Sequence, residues 1–274
     1  LAAVKLAFRR FMNLVPANGK LIAGWDSPNV RDVVASFGSR LFTQLETFGM
    51  NPEARWQVRD ADYTGEMSRF NVFLEGSKWG AFQTSLIGDF NLVNCLAVII
   101  AADAWGMTRE SIGTALATFK NVRRRAEVRG EERGITVIDD FAHHPTAVRE
   151  TLRALRNKYQ QRRLVAIFEP RSWSSRLAVF QDEYAKAFDP ADYVVIASVF
   201  DSKRVNEKGQ MLDTKKLIQD IATQQKPAFV LAGADEIIAH LIPTLLQGDV
   251  VAIMSNGGFG GIHDKLLQAL RTNT

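Results

Sequence analysis

The sequence predicts an α/β protein in two parts, the second part a doubly wound, mostly parallel sheet. Three observations predict it. From about residue 130 onward, short β-branched runs alternate with helical patterns five times over. Those runs are apolar almost throughout rather than alternating, as burial on both faces of a parallel sheet requires. Before residue 120 the pattern changes to extended pieces, a hairpin and two closing helices. A length of 274 residues suits one large or two ordinary domains. With 46% hydrophobic and 23% charged residues, the composition excludes disordered, collagen-like and coiled-coil chains.

The first element is a helical pattern carried by Val4, Leu6, Ala7, Phe11, Leu14 and Val15 and stopped by Pro16. Extended segments at 20–25 and 55–63 follow. Runs at 69–74 and 80–86, joined by Glu75-Gly76-Ser77-Lys78, read as a hairpin. A helix over 91–105 ends at Gly106, and one over 108–119 begins with Thr108 as N-cap and Glu110 in its first turn. The basic, glycine-ended stretch 120–130 reads as the joint, which places the domains at 1–122 and 123–274. Beyond it, strands are predicted at 135–139, 164–168, 193–197, 228–231 and 250–254. Helices are predicted at 145–156, 175–188, 213–223, 234–246 and 262–271.

Net charge is +4, from 34 basic and 30 acidic residues spread along the chain. The one dense cluster is Arg123-Arg124-Arg125, so no nucleic-acid footprint is expected. No apolar run reaches the roughly 18 residues of a spanning helix. The longest, around 92–104, is interrupted by Asn94 and ends at Asp103. A soluble protein off the membrane is therefore expected. The single Cys95 allows no internal disulfide and accords with a reducing, cytoplasmic compartment. Inside an apolar helix it reads as a buried structural thiol, and His240 as a packing or surface residue. The opening Leu1-Ala2-Ala3-Val4-Lys5 lacks both Met and a signal-peptide layout, as expected of a piece of a longer chain.

Open α/β sheets bind ligands beyond the carboxyl ends of their strands. The segments that follow these predicted ends carry three of the four His residues and most clustered arginines. The first is Asp139-Asp140-Phe141-Ala142-His143-His144-Pro145-Thr146. Its two carboxylates and two imidazoles could hold a divalent metal, as in a metal-dependent hydrolase built on Asp139, Asp140, His143 and His144. They could equally position a nucleotide, or simply cap the helix that Pro145 opens. The second, Glu169-Pro170-Arg171-Ser172-Trp173 with Arg176, offers guanidinium forks for carboxylate or phosphate; Trp173 could stack on a ligand or fill a loop. The third is Asp201-Ser202-Lys203-Arg204. The last, Ser255-Asn256-Gly257-Gly258-Phe259-Gly260-Gly261-Ile262-His263, lets backbone N–H groups converge on an anion before a helix. It is not a G-x-x-x-x-G-K-[ST] phosphate loop, which these residues lack.

The first and last of these segments, with Gly88-Asp89-Phe90-Asn91-Leu92-Val93-Asn94, Arg124-Arg125-Ala126-Glu127 and Phe168-Glu169-Pro170-Arg171-Ser172, resemble the Mur ligases of peptidoglycan synthesis, in order along nearly the whole chain. The resemblance implies the later part of a central ATP-binding domain followed by a complete Rossmann-like C-terminal domain. A first domain and the phosphate loop find no counterpart, so catalysis by this polypeptide alone is not expected. It further implies that ATP phosphorylates a substrate carboxylate, with Mg²⁺ on the phosphates, and that an incoming amine then displaces phosphate. Within the family, the segments look most like the branch that joins UDP-N-acetylmuramate to the murein tripeptide. The branch that adds L-alanine is the neighbouring reading, and its members often carry His where this chain has Phe90.

Carried over by position, Asn94 would face adenine, and Arg125 and Asp140 would hold the ribose and orient the nucleotide. Phe141 and the catalytic candidate His143 would pack near adenine and phosphates. Arg171, Arg176, Asn256, Gly257, Gly258 and His263 would address the amine component. Arg124 would read ligand beside Arg125, and hinge closure at the joint is expected on ligand binding.

Overall fold

The computed structural model describes residues 1–199 and 211–272. The Asp201-Ser202-Lys203-Arg204 segment lies outside the described residues. The chain forms two compact units, Leu1–Lys120 and Asn121–Thr274.

The first unit is built on a five-stranded sheet of β1 (Lys20–Gly24), β2 (Gln44–Gly49), β3 (Trp56–Asp62), β4 (Ser68–Leu74) and β5 (Ser77–Thr84), in that order. The first three strands are parallel and the last three antiparallel. The hairpin is as expected, turned by Glu75 and Gly76 at positive φ. Helix α3 (Asp89–Ala104) buries Leu92, Cys95, Leu96, Ile99 and Ile100 against Trp56, Val58, Phe70 and Val72. Burial raises the Cys95 thiol pKa, consistent with a structural thiol. Helix α4 (Arg109–Thr118) starts at Thr108, whose hydroxyl accepts from the Ser111 N–H at 3.2 Å.

Helix α1 (Ala2–Met12) stops three residues short of the expected Val15, and only its Met12 is buried. Two elements of this unit carry weak signals. Helix α2 (Pro28–Ala35) is one short amphipathic turn pair behind Ser27 and Pro28. Strand β2 turns a carboxylate inward: Glu46 is buried because Arg55, Lys20 and the Trp56 indole all meet it. That inward charge hides the strand from a hydrophobicity reading.

In the second unit the parallel strands β7 (Ile135–Asp140), β8 (Leu164–Phe168), β9 (Tyr193–Ala197), β10 (Ala228–Leu231) and β11 (Val250–Met254) are joined by an antiparallel edge, β6 (Glu127–Glu132). Their order is β10-β9-β8-β11-β7-β6. Residues 127–130, read from sequence as the end of the joint, thus belong to a strand of this sheet. Its charges mark it as an edge, and Gly130 lies under Leu267, where a Cβ would stand 3.1 Å from the leucine methyl.

Helices α5 (Pro145–Tyr159), α6 (Gln181–Ala187) and α7 (Thr214–Ala222) follow β7, β8 and β9. Helices α8 (Ala234–Leu241) and α9 (Ile262–Thr272) pack on one sheet face with Ile135, Val137, Ile167, Val195 and Ile253. Two expected helices are shorter than their patterns. The 175–188 segment opens with two 3₁₀ turns before α6. The 234–246 segment stops at Leu241, just before Ile242-Pro243, where proline disfavours helix in the residue ahead of it.

Candidate functional site

Parallel pairing fixes where the strands of the second unit end. Met254 stands level with both Asp140 and Phe168, Phe168 with Ile196, and Leu231 with Ala197. The segments after β7, β8 and β11 therefore share one rim, the edge where open α/β sheets bind ligands.

Successive residues of a strand face opposite sides of the sheet, so Asp139 and Asp140 do different things. Asp139 turns toward α9. It is 2% exposed, and its oxygens lie 3.4 Å from Arg124 Nε, 3.6 Å from Arg129 Nη1 and 3.3 Å from His263 Nε2. Asp140 turns toward α5 and is 4% exposed. It accepts from the Ala126 and Ala142 N–H groups at 2.7 Å each and from the Thr151 hydroxyl at 3.2 Å. Burial raises its pKa, against the opposing pull of those three donors and of Arg125.

His143 bonds the Phe141 carbonyl through Nδ1 at 2.9 Å. A carbonyl only accepts, so this bond puts the proton on Nδ1 and leaves Nε2 as the ring's acceptor. The His143 carbonyl is held by the Tyr184 hydroxyl at 2.6 Å, and its ring meets Phe141 edge-on at 5.2 Å. His144 is a helix cap: its Nδ1 accepts the Thr146 N–H at 3.3 Å, and its ring packs on Phe180. The four-residue metal grouping considered from sequence is thus not assembled, because its members face different ways. Among the described residues no group of three or more His, Cys, Asp or Glu side chains could hold a metal.

The exposed Arg125 lies over the Phe141 ring at 5.6 Å. Across the rim, Glu169 is 6% exposed; it accepts the Ser255 hydroxyl and lies 3.5 Å from Arg171 Nη1. Arg171 runs so close to Gly257 that a Cβ there would stand 2.2 Å from its Cδ. The Ser255 hydroxyl also accepts the Gly257 N–H at 2.9 Å. Beyond Arg171, Arg176 covers the Trp173 ring at 5.6 Å, which assigns that tryptophan a protein partner. A cleft of ≈ 400 Å³ opens here, lined by Glu169, Arg171, Ser198, Gly233, Phe259 and Gly260.

Of the expected site residues in this unit, Arg125, Asp140, Phe141 and His143 gather on one side of the rim. Arg171, Asn256, Gly257 and Gly258 gather on the other. His263, expected on the substrate, is 7% exposed and sits beneath the rim against Asp139. Burial is the main cause of its lowered pKa, with Arg129 and Arg124 adding to it and Asp139 opposing. Arg124, expected to read ligand, is instead turned inward: its Nη2 donates to the Ser255 and Gly257 carbonyls, the latter at 2.9 Å. Sequence reading missed this clamp, although the two-residue period of β7 already separates Asp139 from Asp140. In the first unit, Asn94 is exposed on α3, one turn past Asn91, whose amide donates to the Ile87 carbonyl at 2.8 Å.

Residues 1–102 match the Mur ligase middle domain, and residues 124–257 match the Mur ligase glutamate ligase domain. The chain is 34% identical over 272 residues to the UDP-N-acetylmuramate--L-alanyl-gamma-D-glutamyl-meso-2,6-diaminoheptandioate ligase of Escherichia coli, covering 98% of this chain and 55% of that one. It is 32% identical over 266 residues to a UDP-N-acetylmuramate--L-alanine ligase of Caldanaerobacter subterraneus, covering 97% and 56%. Among solved structures, a murein peptide ligase from Psychrobacter arcticus matches with a TM-score of 0.67 at 31% identity, over 100% of this chain and 55% of that one. The chain thus spans about half the length of these relatives. It belongs to the Mur ligases, the ATP-dependent ligases of peptidoglycan synthesis, and carries their middle and C-terminal domains.

Proposed function

We propose that these residues serve the ATP-dependent joining of UDP-N-acetylmuramate to L-alanyl-γ-D-glutamyl-meso-diaminopimelate, in the cytoplasm, with the rim of the second unit receiving the tripeptide. One observation carries this reading: Arg171 lies along Gly257 at the mouth of a cleft that also exposes backbone at Gly233 and Gly260. A peptide with several carboxylates needs guanidinium forks and bare N–H groups together. Alanine, with one carboxylate, needs fewer.

The other side of the rim suits the nucleotide. Arg125 and the Phe141 face offer a cation and an aromatic surface, and Asp140 retains acceptor capacity beyond its three bonds. Asn94, exposed on α3 of the first unit, offers an amide of the kind that pairs with an adenine edge. His143, with Nε2 as acceptor, would hold or pass a proton near the phosphates. ATP, when bound, supplies the phosphoryl group that activates the substrate carboxylate. Mg²⁺, when bound, would neutralise charge on the phosphates.

The second reading is ligation of L-alanine, supported by the 32% identity to such an enzyme. Phosphate release decides between them. ATP, Mg²⁺ and UDP-N-acetylmuramate are supplied with either tripeptide or L-alanine. Release with tripeptide alone supports the proposal, and release with alanine alone replaces it by the second reading. No release, with tripeptide still binding, makes this chain a binding piece of a longer enzyme.

A further inference from the structure

We propose that Arg124 is a positioning residue: seated on Asp139, it holds the turn after β11 in the shape that receives the amine component. The inference rests on the reading that this rim takes the tripeptide.

The argument begins with peptide geometry. Arg124 Nη2 reaches a turn 131 residues later in the chain and draws in the carbonyls of Ser255 and Gly257. In a trans peptide the C=O and the following N–H point in opposite directions. Pulling those two carbonyls toward Arg124 therefore turns the N–H groups of Asn256 and Gly258 away from it, on the far side of the turn. The N–H between them, on Gly257, is already taken by the Ser255 hydroxyl. The result is a pair of amides with one residue between them, turned to the same side, next to the Gly257 on which Arg171 packs. The Asn256 Oδ1 atom is buried and has no hydrogen-bond partner among the described residues, which leaves an acceptor in the same turn.

Two features set the reach of Arg124. Its backbone is left-handed (φ 61°), as is that of Ala126 (φ 48°), a conformation that non-glycine residues adopt only where the surroundings enforce it. The enforcement is visible: Arg124 N–H donates to Glu127, Phe141 N–H to the Arg124 carbonyl, and Ala126 N–H to Asp140. The fork itself is then aligned by Asp139, a carboxylate shared with Arg129 and His263. A lysine keeps the charge but lacks the planar fork that spans two carbonyls and a carboxylate at once. Charge alone is therefore not sufficient.

The experiment uses this chain, its Arg124→Lys and Asp139→Asn variants, and the free tripeptide as probe. Calorimetry reads binding, and amide hydrogen exchange reads the turn. Arg124→Lys should weaken tripeptide binding by about tenfold, the weight of one lost charge-assisted hydrogen bond. It should speed exchange at Gly257, whose N–H the Ser255 hydroxyl holds, while the β7 and β11 amides stay protected. Asp139→Asn, which keeps the shape and loses the charge, should fall between wild type and Arg124→Lys. Unchanged binding and exchange in Arg124→Lys would overturn the inference. Faster exchange spread equally over β7 and β11 would also overturn it, because Arg124 would then be a general brace. If the wild-type chain binds no tripeptide, the substrate reading fails, and exchange at Gly257 alone still decides whether Arg124 positions the turn.

Discussion

The two edges of the second unit's sheet use arginine in opposite ways. At the amino-terminal edge Arg156, Arg162 and Arg163 are occupied by the protein itself. Arg162 donates to Thr136 Oγ1 and the Asp249 carbonyl at 2.9 Å each and to the Gly248 and Gly134 carbonyls. Arg163 forks onto the Asp249 carboxylate at 3.0 and 2.6 Å and reaches the Thr244 carbonyl. Arg156 ties the carbonyls of Pro190, Gln160 and Arg162. At the carboxyl-terminal rim Arg124 closes a turn in the same way, Arg171 lies 3.5 Å from Glu169 and lines a cleft, and Arg125 lies exposed over Phe141. The same side chain closes loops at one edge and, at the other, also lines a cleft or lies exposed. Arginine counts therefore say little about a site until each fork's acceptors are known.

This comparison can be broken by mutation. The largest effect belongs to the amino-terminal edge. Arg163→Met strands the buried Asp249 charge and should lower unfolding free energy by about 3 kcal/mol. Urea denaturation reads the loss, and tripeptide affinity of the folded protein should not change. Loss of binding there would erase the distinction between the edges. Arg171→Ala should weigh the other way: tripeptide affinity should fall about tenfold or more, while stability falls less than in Arg163→Met because Glu169 keeps the Ser255 hydroxyl. A loss of nucleotide use equal to the loss of peptide use would remove Arg171 from the amine pocket.

Asp140 belongs to both categories. Asp140→Asn keeps the shape and loses one of three accepted bonds, for about 1 kcal/mol of stability. Asp140→Ala should in addition raise the apparent Michaelis constant for ATP in active enzyme. An unchanged constant would make the residue purely a staple for the Ala126 and Ala142 amides.

The smallest effect is one of pH. Burial holds the His263 pKa below the ordinary histidine value of about 6.5. The unfolded chain then binds the proton more readily, so His263's contribution is fully present above pH 6.5 and is lost as pH falls through the native pKa. Urea titrations across this range should show a slope that His263→Gln removes; an equal slope in the variant would assign it elsewhere.

Much of this was legible before any coordinates. The five apolar runs of the second unit are strands because nothing but burial on both faces explains Leu-Val-Ala-Ile-Phe or Val-Val-Ala-Ile-Met, and their ends locate the rim. The edge strand β6 was not legible, since Glu-Val-Arg-Gly-Glu-Glu pairs on one side only and looks like a linker. Strand β2 was hidden by its inward Glu46. At the rim, residue types identified the site but not the division of labour. Arg124 and Arg125 are neighbours with identical chemistry, and only the left-handed turn at Arg124 sends one inward and leaves the other exposed. His263 follows a glycine-rich turn like a ligand residue, yet the first turn of α9 places it under the sheet.

Mapping backbone amide shifts of this chain as tripeptide is added tests most directly whether the carboxyl-terminal edge is the one that reads an anionic amine. The account predicts perturbations confined to residues 169–176 and 255–263, absent with L-alanine at the same concentration. Perturbations centred on 156–163 and 244–249 instead would contradict it.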